Sequence, residues 1–274
     1  MSNPDLQDYC QLATRIRAHV LRMTNRAHSS HSGGCLSAAD ILAVLYGGIL
    51  RVRPEDPAWP DRDRFILSKG HIAAAVYAAL AERGFFPLDW LDTFYLDGSK
   101  LPGHATKGIP GIEVSSGSLG HGLSIACGMA LAGKRDGAAY RVFALLSDGE
   151  CDEGSTWEAV LFAPHHRLDN LVAIVDYNKI QSFGTTSEVL DLEPFAAKWR
   201  DCGWNVREID GNDVHAVDTA LGDVPFVKER PSCIIAHTTK GKGVSFMEND
   251  LAWHYKYPDD AQLQQALQEL GVSR

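Results

Sequence analysis

Residues 141–178 read RVFALLSDGECDEGSTWEAVLFAPHHRLDNLVAIVDYN, and the order of elements in this stretch decides the fold. An apolar, β-rich run (141–147) ends in a loop crowded with carboxylates: Asp148, Glu150, Asp152, Glu153 and, farther on, Glu158. A helical segment near 155–165 leads to a second β-rich run, 170–177. The same rhythm continues through NVREID (205–210) and SCIIAHT (232–238), separated by helical segments near 192–202 and 213–221. These runs are largely apolar on both faces, as strands of a covered sheet are. Strand, helix and strand in alternation predict right-handed crossovers. The expected fold is therefore α/β, a doubly wound, mostly parallel sheet with helices on both faces.

Toward the N-terminus the pattern is mainly helical. Leu6, Cys10, Ala13, Ile16, Val20 and Met23 recur at helical spacing. A second helix is expected over 37–50, a short strand at RFILS (64–68), and an alanine-rich helix over 69–84 stopped by Gly84. A glycine- and proline-rich stretch, 98–122, precedes a further helix at 123–135, and a last helix is expected near the C-terminus. No internal repeat or low-complexity linker interrupts the chain, so residues 1–274 are expected to form a single domain.

Bulk properties exclude several classes. The net charge of -9 argues against nucleic acid as a partner, which needs a cationic surface. No run of about 18 apolar residues exists, so no membrane span is expected, and residues 1–20 lack the apolar centre of a secretory signal. The six cysteines are scattered without a C-x-x-C, which reads as reduced thiols in a cytoplasmic protein.

In parallel sheets ligands bind at the carboxyl ends of the strands, where the acidic loop lies. Asp148 leaves one strand, and Asn178 leaves the next, thirty residues later. Side by side, a carboxylate, an amide oxygen and a nearby carbonyl make a hard oxygen site suited to Mg²⁺ or Ca²⁺. So few protein ligands leave positions for phosphate oxygens and water, and Gly149 would allow a phosphate close to the backbone. Asp-Gly is also a common turn. Ser155 to Glu158 fits a capping box, S-x-x-E, while Glu150 and Asp152 read as solvated.

SDGECDEG, followed by NKI, resembles the thiamine diphosphate motif, which begins G-D-G and ends in Asn, with Ser147 in place of the first glycine. Four more segments resemble transketolases, in the family's order. SSHSGGCLSAADILAVLY is similar to their S-G-H-P-G segment and contributes His31, with Ser32 in place of proline. DRFILSKGH contributes His71. LPGHATKGIPGIEVSSGSLGHG contributes His104, Gly117, Leu119 and Gly120, with His121 at the family's glutamine position. TKGKGVSFMENDLAWHYK contributes His254. The resemblance implies that His31, His71, His104 and His254 serve catalysis, His71 and His254 also touching the cofactor. It implies that Asp148, Asn178 and the Ile180 carbonyl hold magnesium (Ca²⁺ a possible substitute), and that Gly117, Leu119, Gly120 and Gly149 line the cofactor. Glu153 and Glu158 match acids at the family's dimer interface that connect with its cofactor-activating glutamate. Histidine, titrating nearest neutrality, suits proton traffic around a sugar's hydroxyls. The remaining histidines read as structural.

The family's polypeptide normally continues into a pyrimidine-binding domain and a third domain, which carry that activating glutamate and the grip on the sugar phosphate. The resemblance therefore implies the N-terminal subunit of a split transketolase. It would pair with a C-terminal subunit carrying the pyrimidine-binding domain, as a two-plus-two heterotetramer. Its reaction would move a two-carbon ketol unit from a ketose (phosphate) to an aldose (phosphate). Pentose phosphates, a branched or sulfonated sugar, and a biosynthetic side pathway all fit. Rival readings are the alpha-type chain of a 2-oxoacid dehydrogenase, a 1-deoxyxylulose-5-phosphate synthase-like enzyme, and a non-catalytic remnant acting as a binding module.

Overall fold

Residues 6–272 are described by a computed structural model. Five strands among them, β1 (Arg64–Leu67), β2 (Val142–Ser147), β3 (Leu171–Tyr177), β4 (Asn205–Asp210) and β5 (Ser232–His237), pair in parallel in the order β1-β2-β3-β5-β4. The helices are α1 (Leu6–Ala27), α2 (Ser32–Ser37), α3 (Ala39–Val44), α4 (Ala73–Glu82), α5 (Gly122–Arg135), α6 (Gly154–His165), α7 (Thr186–Val189), α8 (Phe195–Asp201), α9 (Val214–Gly222) and α10 (Asp260–Glu269).

Successive side chains of each strand go to opposite faces, and both faces are covered. Phe65, Leu67, Phe143, Leu145, Val172, Ile174 and Ile234 pack with α1, α3, α4 and α9. Their neighbours Ile66, Val142, Ala144, Leu146, Ala173, Val175 and Ile235 pack with α5, α6 and α8. The expected doubly covered sheet is thus present. β4 departs from it, since NVREID is half exposed as an edge strand. Its outer charges pair with neighbours, Arg207 with Asp223 at 2.7 Å and Glu208 with Arg200 at 3.2 Å.

Three helical expectations change. The segment expected to be one helix over 37–50 breaks into the end of α2, then α3, then a π-helical turn, Leu45–Ile49. Gly47 presses so close to the Tyr9 ring that a Cβ there would stand 2.6 Å from it. In α1 the buried stripe runs through Tyr9, Leu12, Ile16, Val20 and Met23, leaving Leu6 and Cys10 outside. The segment expected near 192–202 starts as helix only at Phe195, with Pro194 at its N-cap.

A third cluster fixes the C-terminal segment. Ala18 and Leu21 of α1 and Leu36 of α2 pack against Val244, Met247, Trp253 and the inner face of α10. This packing holds residues 240–254 beside α2, where Gly241 N–H donates to the Gly33 carbonyl at 2.9 Å.

Candidate active site

A cavity of about 110 Å³ opens where β1, β2 and β3 end. Asp148, immediately after β2, and Asn178, immediately after β3, line it together, and Ile180 lies beside them. Both side chains are buried, and both are oriented by backbone amides. Asp148 accepts from Gly149 N–H at 2.8 Å and from Lys179 N–H at 2.5 Å; Asn178 Oδ1 accepts from Ile180 N–H at 3.1 Å.

Histidines line the same cavity. His31 lies 5.0 Å from His71, 5.1 Å from His254 and 6.5 Å from His104, between ring centroids. His31 adopts a left-handed backbone, φ 74°, which is uncommon for a residue with a side chain. Its N–H donates to the His254 carbonyl at 3.1 Å and its own carbonyl accepts from Cys35 N–H at 3.2 Å, which holds that conformation. Ser30 Oγ hydrogen-bonds His31 Nδ1 at 2.9 Å. His71 sits in a 3₁₀ turn, Gly70–Ile72, that leads into α4, rather than in the first α-helical turn. His104 is more exposed, and Tyr77 holds its segment by donating from its hydroxyl to the His104 carbonyl at 2.9 Å.

Two lysines complete the site. Lys240 Nζ donates to the Ile180 carbonyl at 2.9 Å and meets His254 Nδ1 at 3.1 Å. With Nδ1 accepting from an ammonium, His254 keeps its proton on Nε2. Lys69, almost wholly buried, pairs with the buried Asp176, which also accepts from Ser37 Oγ at 2.6 Å and from the Thr238 hydroxyl.

Burial sets the protonation states. It lowers His31 to about 4, with His104 and Lys240 adding to the effect, and lowers His254 to about 3, with Lys240 and His31 contributing. Burial, then His31 and Lys69, also holds His71 well below its ordinary value. The three rings are therefore neutral near pH 7, able to donate and to accept. Burial likewise brings Lys240 down to about 8 and raises Asp148 to about 6, where the charge of Asp176 adds to it.

The glycine loop lies alongside. Gly117 has φ 141°, and a Cβ there would meet the His104 ring at 2.7 Å; Gly120 has φ 83°, and a Cβ would stand 2.4 Å from Ser155 Oγ. Both positions require glycine. Leu119 and Gly149 reach the cavity wall directly. Glu153, at the N-cap of α6, and Glu158, within that helix, do not reach it: both are exposed, as is His121 ahead of α5.

Two sequence expectations fail here. Glu150 is not solvated but wholly buried, because it satisfies donors from three chain segments. Ser155 does not begin a capping box. The helix starts at Gly154, with Glu153 at the N-cap, and Ser155 Oγ donates instead to the Gly120 carbonyl at 3.0 Å. Asp152 is half-buried and accepts from Gln181 Nε2 at 2.9 Å. Sequence reasoning also passed over Lys69, Asp176 and Lys240. An acid inside the apolar run LVAIVDY was the signal for Asp176, and the lysine of KGKG for Lys240.

Among the described residues no group of three or more His, Cys, Asp and Glu could hold a metal ion. A cation here depends on the mixed set of Asp148, Asn178 and the Ile180 carbonyl, hard oxygens of the kind Mg²⁺ and Ca²⁺ take. The set fits. The carbonyl's second lone pair remains when Lys240 uses the first, and Lys240 offers a cation to an adjacent anion.

The family model for transketolase, thiamine diphosphate binding domain, matches residues 9–274, and the chain belongs to this family. It is 42% identical over 255 residues to an apulose-4-phosphate transketolase subunit of Phocaeicola vulgatus, covering 93% of this chain and 91% of that protein. Identity to the 6-deoxy-6-sulfo-D-fructose transketolase subunit SqwG of a Clostridium species is 44% over 243 residues, covering 88% of each. A solved transketolase from Leishmania mexicana superposes with a TM-score of 0.91 at 29% identity, over 99% of this chain but 42% of that one. The chain is thus similar to these two transketolase subunits over nearly their whole length, and to the larger Leishmania enzyme over well under half of its length.

Proposed function

We propose that this chain is the N-terminal, diphosphate-binding subunit of a split transketolase, its residues 1–274 forming one thiamine diphosphate-binding domain. The observation that carries the reading is convergence: Asp148, Asn178, Ile180, Lys240 and three neutral histidines meet at one cavity at the ends of β1, β2 and β3. Asp148, Asn178 and the Ile180 carbonyl would hold Mg²⁺. Lys240, Gly149 and Leu119 would receive the cofactor's diphosphate, with His71 and His254 beside it. Gly117 and Gly120 would shape the loop above it. The cofactor, when bound, supplies the electron sink for carbon–carbon bond cleavage.

The chain's own residues manage protons and orientation. His254 presents Nε2–H as a donor, and His31, held at Nδ1 by Ser30, has Nε2 left to meet a sugar hydroxyl. His104, at the exposed side, would meet the substrate farther from the cofactor. The substrates would be a ketose (phosphate) donor and an aldose (phosphate) acceptor. Names of relatives that act on apulose 4-phosphate and on a sulfonated fructose favour a sugar outside the common pentose phosphates. Their designation as subunits supports a partner chain; in our reading that partner carries the pyrimidine-binding and C-terminal domains, in a two-plus-two assembly. Glu153 and Glu158, outside the cavity, would face that assembly. A cytoplasmic setting for the reaction belongs to this reading and rests on the scattered free cysteines.

The test is reconstitution. The chain, tagged in its own host, should co-purify with a partner, and the pair should transfer a ketol group in the presence of thiamine diphosphate and Mg²⁺. Asp148→Ala should abolish that activity and the Mg²⁺-dependent binding of the cofactor. Transfer by the chain alone would overturn the split reading.

A further inference from the structure

Glu150 has no solvent exposure, and among the described residues no lysine or arginine stands in ion-pair contact with it, the charge of Lys69 acting on it only from farther off. Burying a carboxylate without a cation is costly unless hydrogen bonds replace its water. Here they do. Oε1 accepts from the Ser68 hydroxyl and from Gly120 N–H at 2.9 Å, and Oε2 accepts from Ser147 N–H at 3.3 Å. The Ser147 hydroxyl accepts in return from Glu150 N–H at 3.2 Å.

The donors come from three separate parts of the chain, and each part delivers residues to the cavity. Ser68 directly follows β1 and starts the turn that carries Lys69 and His71. Gly120 follows Leu119. Ser147 ends β2 and precedes Asp148 and Gly149. The segments also touch directly: a Cβ at Gly122 would stand 2.2 Å from Ser68 Oγ. One carboxylate, itself outside the cavity wall, therefore ties together three of the segments that line that wall.

We infer that Glu150 is a positioning residue, whose buried carboxylate clamps the 68–71, 119–120 and 147–149 segments into the arrangement that seats the cofactor's diphosphate and metal. The inference rests on the thiamine diphosphate reading for what is seated, though not for the clamp itself. Alanine would leave three buried donors without partners and release all three segments. Glutamine can keep Oε1 as the acceptor for Ser68 and Gly120, but turns an NH₂ group toward Ser147 N–H. The two variants thus differ in where they loosen the site.

The experiment is hydrogen–deuterium exchange on the full chain without cofactor, comparing wild type with Glu150→Ala, Glu150→Gln and Ser68→Ala. Alongside it, thiamine diphosphate affinity is measured with Mg²⁺ on the assembly that co-purifies with the chain. Glu150→Ala should speed amide exchange in 68–71, 119–120 and 147–149 by roughly tenfold or more, as loss of about one buried hydrogen bond's worth of protection predicts. Exchange in β3 should stay unchanged, and cofactor affinity should fall by a similar factor. Glu150→Gln should loosen 147–149 alone and recover most of the affinity. A general loosening that includes β3, or wild-type exchange at all three segments, would overturn the clamp. If Glu150→Ala fails to fold, Glu150→Gln and Ser68→Ala decide the matter, the latter expected to free only 68–71. If the wild-type assembly binds no thiamine diphosphate, the cofactor reading fails while exchange still tests the clamp.

Discussion

Lys240 is the residue that joins the metal side of the cavity to its histidine side. Its ammonium bridges the Ile180 carbonyl and His254 Nδ1, and it lies in a largely buried setting where burial lowers it to about 8. Replacing it with alanine removes the cation nearest the proposed diphosphate and frees the His254 tautomer. Charged hydrogen bonds contribute roughly 1.5–3 kcal/mol, so Lys240→Ala should weaken cofactor binding by roughly tenfold to a hundredfold, measured by calorimetry on the assembly. The resemblance to transketolases marked the histidines, because their motifs surround them in order. Lys240 escaped because a lysine in a glycine-rich stretch reads as solvated until the chain is folded against Ile180.

At the scale of elements, the opposite end of the sheet is braced by Asp63, just before β1. Its side chain is fully buried and accepts from Arg51, at 2.8 Å, and from Arg141 at the head of β2, at 2.7 Å. Burial by itself would raise its carboxyl, but the hydrogen bonds from Arg51 and Arg141 together outweigh it and hold the pKa below its ordinary value. Since the folded value is depressed, the stabilisation is present above the unfolded value, about 3.9, and is lost as pH falls through the folded one. Asp63→Asn should cost roughly 3 kcal/mol at pH 7, because two guanidinium groups lose their carboxylate. The variant's stability should also fall less steeply than the wild type's below about pH 4, as denaturant unfolding at a series of pH values would measure. Had Asp63 served only as a surface charge, neither effect would be seen.

For the whole molecule, the exposed side of α6 is one apolar feature the fold leaves open. Leu161 is 61% exposed and Phe162 38% exposed, on the helix that also exposes Glu158, with Glu153 at its N-cap. Large apolar groups beside acids proposed above to face an assembly suit association rather than water. Leu161→Glu should therefore shift the assembly toward smaller species by light scattering while leaving the chain's circular dichroism unchanged. An unaltered mass would remove α6 from the interface. Glu150 shows the complementary point at residue level: among the five acids between 148 and 158, burial separates those with structural work from those facing outward.

The parallel α/β fold was legible in local pattern, since apolar runs at strand length alternating with helical segments leave few other ways to cover a sheet. The positions of Asp148 and Asn178 at neighbouring strand ends followed from that pattern too. The sequence alone could not say which polar groups would lose their water. Glu150 and Lys69 look on paper like solvated side chains. They are buried only because β1, β2, β3 and the glycine loop converge, and each then needs partners from segments far away in the chain. The same convergence placed Lys240 on Ile180 and gathered the histidines within a few ångströms of His31. Desolvation is a property of the packed neighbourhood, so the tertiary structure decided the ionisation and pairing of the site, while local periodicity had already determined the sheet that carries it.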